Sequence, residues 1–472
     1  MQKTIKEPAR EVPIFRECDV LVVGGGPAGS AAAASASAAG SETILVERYG
    51  HLGGLSTGGL VVWIDRMTDW EGNQVIGGFA NDLLDRIPSD QLIGPSDDIW
   101  GSQDKKLVEY WAERSNAFSG VVTWSPTIDP EMLKFASFEL LIDRGVKLLM
   151  HSWAVAPIMD NDSIRGIIFE SKSGRQAILA KVIIDATGDG DILALSGANF
   201  EIDIVENDIH HALTLAFRWG GVDTDMYMNF RKNHAREYRK IVDKGRQIGA
   251  TARGHLMPQK DQLLFMDPKF GGYSGLDVED LTEVEIIARR RMMEMLKYFR
   301  SKMPGFGSAW IIDTASQIGT RHTRRLVGEK PLKREDWTNG LRFPDEIAIS
   351  PSPKKKYPTV SVPLGALVPE RIDNLLVAGR NLSCDAFSHT FMREVPQCWA
   401  MGQGAGVAAS ISAKTQIRPR EVPFDKVRLE LQRQGVILHD PTNKIILPDK
   451  SDQPFEGYFV GVSPIKNRTK NL

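Results

Sequence analysis

The segment DVLVVGGGPAGSAAAASASAAGSETILVER, beginning at Asp19, constrains the fold of this chain more than any other stretch. Residues 20–23 form an apolar run suited to a buried parallel strand. Gly24, Gly26 and Gly29 then give the spacing GxGxxG, and Pro27 and Ala28 open a helix built from alanine and serine. Gly24 lets the chain turn sharply out of the strand, Gly26 lets backbone N–H groups approach a pyrophosphate, and Gly29 lets the helix pack closely on the sheet. A phosphate would sit at the helix N-terminus, where free N–H groups and the macrodipole favour negative charge. Gly40 is placed to end the helix, Thr43–Val46 forms the next strand, and Glu47 stands at its end. A carboxylate there accepts hydrogen bonds from ribose hydroxyls and repels a 2′-phosphate. Together these features predict a dinucleotide-binding βαβ unit.

Composition narrows the partners. The chain has 472 residues, 42% of them hydrophobic, which predicts a full core and two or more structural units. Lys plus Arg number 58 and Asp plus Glu 60, a net charge of −2, so no global field draws in nucleic acid or an anionic bilayer. The expected partner is a small molecule, with no nucleic acid and no membrane; a homo-oligomer is left open. Residues 1–18 mix both charge signs, contain two prolines and lack an apolar signal core, so residues 1–17 are expected to be disordered and the protein cytoplasmic. Cys18, Cys384 and Cys398 have no CxxC spacing, which argues against a redox dithiol or a zinc or iron–sulfur site. Each is expected to be a small buried hydrophobe, in a reducing compartment, and no metal is expected.

Further glycine-rich stretches follow. After Glu47 and Arg48 comes HLGGLSTGGL, with Gly53, Gly54 and Leu55, where a simple NAD-dependent dehydrogenase would continue into its next helix. Such a loop points to close backbone approach to a large planar cofactor. Asp129 and Pro130 are placed to start a helix whose apolar stripe is Met132, Leu133, Phe135, Ala136, Phe138, Leu140 and Leu141. Strands are predicted over 147–156, 164–171 and 176–184, parted by the turn signals DND and SKSGR and closing on IIDATGDGD at 183–191. Near the C-terminus, NLLVAGRN at 374–381 reads as a strand, and a small-residue helix begins near Pro396.

GGGPAG with Glu47-Arg48, the Gly53-Gly54 loop, ATGDGD after the meander, QIGTRHTRRLVGE at 317–329, and VAGRN followed by Arg393 and MGQGAG resemble one family. It is the broad family of FAD-dependent oxidoreductases of the glutathione-reductase-like superfold, distantly similar to fumarate reductase flavoproteins. The resemblance runs over about residues 17–415. It implies an α/β fold: a Rossmann-like FAD-binding domain with a β-meander, plus an inserted α+β substrate domain. The division would be 18–197 and 351–415 for the two parts of the FAD domain, 198–350 for the substrate domain and 416–472 for a C-terminal extension. FAD would be bound non-covalently. Its contacts would be Gly24, Gly26, Pro27, Ala28 and Gly29; Glu47, Arg48, Gly53, Gly54 and Leu55; and Val155 from the meander. Ala186, Thr187, Gly188 and Asp189, then Gly379 and Arg380, would follow, with Gln397 in the last helix. The N-terminus of that helix would face the flavin pyrimidine edge and stabilise its reduced, anionic form by about 0.3–1 kcal/mol.

Two histidines and an arginine, His389, His322 and Arg393, are the leading candidates for chemistry. His389 lies between the GRN strand and the last helix, next to the flavin if the resemblance holds. An imidazole there could take a proton from a hydroxyl or amine while hydride leaves for flavin N5; the alternative is a packed loop histidine. Arg393 would anchor a substrate carboxylate or stabilise the pyrimidine edge. His322 and Thr323 stand where the family has an acid and a serine, which makes His322 a second candidate; Arg321, Arg324 and Arg325 beside it read as ion-pair members. His210 and His211 open a strand predicted over 211–222, followed by amphipathic helices over 225–245 and Val278–Lys302. His51 raises covalent flavin attachment but lacks the SHT context of such sites.

No second GxGxxG and no dithiol are present, so the substrate is the simplest source of electrons. The leading expectation is a dehydrogenase or oxidase that oxidises a small organic substrate and passes electrons to oxygen or another acceptor. A single-component monooxygenase is the alternative, weakened by Gly379-Arg380 where aromatic hydroxylases carry Gly-Asp. A tRNA-modifying flavoprotein is the third, disfavoured by balanced charge.

Overall fold

The first βαβ unit forms where the glycine pattern predicts it. In the computed structural model, which describes residues 3–202, 209–247 and 254–440, β1 (Ile14–Val23) pairs in parallel with β2 (Thr43–Val46). α1 (Pro27–Ala38) joins them. Residues 18–23 of β1 continue a strand that starts at Ile14, paired with Ala177, so residues 14–17 are ordered rather than disordered. α2 (Pro130–Asp143) starts as its cap dictates, the Asp129 side chain accepting from the N–H groups of Glu131 and Met132. It buries Leu133, Ala136, Leu140 and Leu141, while Phe135 is 59% exposed and falls outside the stripe. β3 (Lys147–Leu149) and β4 (Trp153–Asp160) replace the single strand predicted over 147–156. The break falls at His151, whose φ of +53° takes it out of extended geometry. β5 (Ser163–Ser171) and β6 (Gly174–Asp185) complete the meander.

The insertion has its own sheet and core. The strand predicted over 211–222 is divided into Leu213–Thr214 and β7 (Phe217–Gly220). The helix predicted over 225–245 is two, α3 (Thr224–Asn233) and α4 (Ala235–Arg246), parted at His234 with φ −124° and ψ 43°. β8 (His255–Leu256) and β9 (Leu263–Phe265) follow, then α5 (Val278–Lys302), capped by Asp277, and β10 (Trp310–Thr314). The antiparallel order is β8-β9-β7-β10. Phe217, Trp219, Phe265, Met292, Met295 and Phe299 form a core together with Leu60 and Val62 from the N-terminal segment. Leu326, Trp337 and Ile347, by contrast, pack in the first core.

β11 (Leu375–Val377), α6 (Ala386–Met392) and α7 (Val395–Thr415) close the first unit, and α8 (Phe424–Arg433) packs on it through Val427 and Leu431. Residues 441–472 of the expected C-terminal extension lie outside the described residues. The main sheet runs β3-β2-β1-β6-β5-β4, with β11 also on β6. β6 changes partner along its length: residues 174–179 pair antiparallel with β5, and 183–185 pair in parallel with β11. The carboxyl ends of β1, β6 and β11 therefore lie side by side, the place where open α/β sheets bind ligands. The fold is α/β, a Rossmann-like unit with a meander and an α+β insertion. Among the described residues, no helix is long and apolar enough to cross a membrane.

Candidate functional site

A cavity of about 890 Å³ opens at those strand ends. Gly24, Gly26, Pro27 and Ala28 line it, with Glu47, Arg48, Gly54 and Leu55, the run 186–189, Gly379, Arg380 and, from α7, Val395 and Cys398. Two glycines need their missing side chains. Gly24 has φ +100°, and a Cβ there would lie 2.5 Å from the Ala186 carbonyl oxygen. Gly54 has φ +48°, and its Cβ would lie 2.8 Å from the Gly26 Cα. The loops around Gly26 and Gly54 thus face each other with backbone alone. No side chain caps α1 at Gly26, so its first N–H groups point outward for an anion.

Carboxylates set the shape of the loops. Glu47 is buried, its Oε2 accepting from Gly25 N–H at 2.6 Å and its Oε1 from Tyr49 N–H at 2.8 Å. Burial raises its pKa against the pull of those two donors. Asp185, at the end of β6, accepts from Thr187 N–H at 3.0 Å, Thr187 Oγ1 at 2.7 Å and Leu193 N–H at 2.7 Å. Burial pushes its carboxyl up to about 6, against the pull of the donors through which it holds the ATGDG turn. Arg380 ties three walls together. Its Nε donates to Gly188 O at 2.9 Å, its Nη2 to Asp189 Oδ1 at 2.6 Å, and its Nη1 to Thr320 O.

Residues 19–431 match the family described as FAD dependent oxidoreductase. The chain belongs to this family. FAD is its cofactor, and the enzyme is an oxidoreductase. The cradle fits that cofactor: backbone at Gly26 and Gly54 and the open N-terminus of α1 suit the pyrophosphate, and Glu47 at the end of β2 suits a ribose. The thiamine thiazole synthase of Methanococcus vannielii is 29% identical over 180 residues, 36% of this chain and 56% of that protein. The chain thus spans about half the length of the curated relatives it matches. Among solved structures, a geranylgeranyl bacteriochlorophyll reductase-like protein of Thermoplasma acidophilum is 13% identical with a TM-score of 0.41, over 89% of this chain and 82% of that one. The flavin-dependent brominase Bmp2 is 13% identical with a TM-score of 0.42, over 88% and 84%.

Four residues expected at the FAD do not line the cavity. Gly29 acts in packing, since a Cβ there would lie 1.8 Å from the Gly24 carbonyl oxygen. Gly53, with φ +86°, makes the turn behind Gly54. Val155 falls where the pairing of β4 with β5 shifts register between Ala154 and Ala156, and Trp153 and Ala154 are the β4 residues at the cavity. Gln397 is buried in the first turn of α7, its Nε2 donating to Ser350 Oγ at 3.1 Å.

His389 and His322 are likewise outside the cavity wall. α6 turns His389 inward, where its Nε2–H donates to the Arg380 carbonyl at 2.8 Å. Its Nδ1 is then the acceptor for His322 Nδ1–H at 3.4 Å, a tautomer assigned from these partners. The His322 ring also lies 4.6 Å from His211, tilted against it, and meets His389 edge to face, so three imidazoles cluster behind the wall. Burial, then the charges of His322 and Arg393, lowers the His389 pKa well below its usual value. Arg393 does line the cavity, its Nη1 3.1 Å from Glu394 Oε1, and so does His210. His51 does not; its ring stacks on Tyr49 and its Nε2 lies 3.4 Å from Ser316 Oγ. Cys398 lines the cavity as a protonated thiol, pushed up to about 12 by burial.

The remaining wall was not read from the sequence. Trp63, Ser115, Phe118, His255 and Met266 line it. Trp63 Nε1–H donates to Ser115 O at 3.0 Å, and its ring stacks on His255 at 5.7 Å and tilts toward Phe118 at 5.9 Å. His255 Nδ1 lies 3.2 Å from Ser115 Oγ. One signal was present: five of the ten tryptophans lie between positions 63 and 124.

Proposed function

We propose that this enzyme oxidises a small organic substrate by hydride transfer to flavin N5, with electrons then passed to oxygen or another acceptor. The observation that carries this reading is the continuity of the cavity. It runs past the FAD motifs to Trp63, Phe118, His255, Met266, Leu276 and Leu281, an aromatic and apolar compartment beside the cofactor cradle. When bound, FAD supplies a two-electron acceptor for hydride.

The protein does the rest. Trp63 and Phe118 exclude water and orient a flat substrate face; their positions are held by the Trp63–Ser115 hydrogen bond and ring contacts. His255, oriented by Ser115 and Trp63, is our assignment for the group that receives the proton of a substrate hydroxyl or amine. The N-terminus of α7, which no side chain caps, favours negative charge beside Val395. The partner is a small molecule, and neither nucleic acid nor a membrane takes part.

Anaerobic mixing of the purified holoenzyme with a library of alcohols, amines and organic acids tests this. The expected result is loss of flavin absorbance with at least one compound and no NAD(P)H. Loss with NAD(P)H alone, stimulated by an aromatic compound, would replace this reading with a monooxygenase, and copurified RNA would favour RNA modification.

A further inference from the structure

The segment TRHTRR holds three arginines expected in ion pairs, and two of them are. Arg324 pairs with Asp191 at 3.1 Å and Arg325 with Glu201 at 3.1 Å. Arg321 differs: it lines the cavity and forms no ion pair among the described residues. Its Nη1 donates to Ala212 O at 2.9 Å and Thr214 Oγ1 at 2.7 Å, which fixes the plane of the guanidinium. The other cations at the cavity are accounted for. Arg380 meets Asp189 at 2.6 Å, Lys269 meets Asp267 at 2.6 Å, and Arg393 meets Glu394 at 3.1 Å. Arg48 is exposed, over the rings of Tyr49 and Trp153.

A guanidinium so placed is costly without an anion. Burial, then the like charge of Arg393, pushes the Arg321 pKa down to about 10, against the weaker pull of Glu394 and Asp267. A ligand carboxylate would relieve both effects, and the planar fork of arginine suits it better than an ammonium would. Trp63 and Phe118 in the same cavity suit a flat apolar body.

We propose that Arg321 anchors the carboxylate of the substrate, and that the substrate is a small organic acid with a flat apolar body. This rests on the cavity being the place where substrate meets flavin. A phosphate of FAD is the other source of negative charge, and FAD retention separates the two.

The test uses the holoenzyme, with benzoate and its neutral isostere benzamide as probes, followed by calorimetry and by the flavin visible spectrum. Benzoate is expected to bind at least tenfold more tightly than benzamide and to shift the spectrum. Arg321→Met should weaken benzoate by about tenfold to a hundredfold, with FAD content unchanged, and Arg321→Lys should recover part of the affinity. Equal affinity of the wild type for both probes overturns the proposal, and that comparison needs no variant. Unchanged benzoate affinity in Arg321→Met also overturns it, as does loss of FAD from that variant. If benzoate fails while a neutral alcohol bleaches the flavin, the anion site falls and the substrate reading stands. If benzoate binds but only NAD(P)H bleaches the flavin, the anion site stands and the substrate reading falls.

Discussion

Glu47 combines a role that its position announces with one that it does not. A carboxylate at the end of β2 is legible from the strand, glycine and acid order, because those constraints are local in sequence. Its two hydrogen bonds to Gly25 and Tyr49 N–H groups depend on how the loops fold over each other. Glu47→Ala leaves both donors without that acceptor, and FAD affinity should fall by about tenfold to a hundredfold, measured by fluorescence titration of the apoprotein. Unchanged affinity would remove Glu47 from the cofactor site. His389 shows the opposite case. Its closeness in sequence to Gly379-Arg380 was legible, but side-chain direction is set by α6, which points it at the Arg380 carbonyl behind the wall. Val155 sits at a register shift between β4 and β5, an irregularity the sequence does not announce, and Ala154 beside it lines the cavity instead.

The starts of α1, α5 and α7 were legible in the sequence, and the break within one helical pattern was not. α5 runs from Val278 to Lys302 as predicted, because Asp277 caps it and its apolar residues repeat with helical spacing. The break between α3 and α4 at His234 has no glycine or proline to signal it. The contact between α1 and α7 is the element on which the cofactor cradle rests. A Cβ at Gly402 would lie 2.1 Å from Ala28 O, and one at Gly406 would lie 2.2 Å from Ala32 O. Gly406→Ala should force the helices apart and cost about 1–3 kcal/mol, read as a lower urea midpoint. A midpoint equal to the wild type would show that the helices can give way without penalty.

On the scale of the molecule, the binding site is assembled from segments that are far apart in the chain. The motifs at 24–29, 47–55, 186–189 and 379–380 come together because β6 pairs with β1 on one side and with β11 on the other. Those contributions were legible, since each motif needs close backbone approach and carries glycine for it. The aromatic wall was not. Trp63, Phe118 and His255 come from short or irregular segments and meet where the insertion packs on Leu60 and Val62. The central claim is that backbone from distant segments cradles one FAD, and Gly54 facing Gly26 is its narrowest point. Gly54→Val fills that space, where a Cβ meets Gly26 and Pro27. The deciding measurement is the ratio of bound flavin to protein, with far-ultraviolet circular dichroism as the check on folding. A full equivalent of FAD in the wild type and almost none in a folded Gly54→Val is the predicted result, and full flavin content in that variant would contradict it.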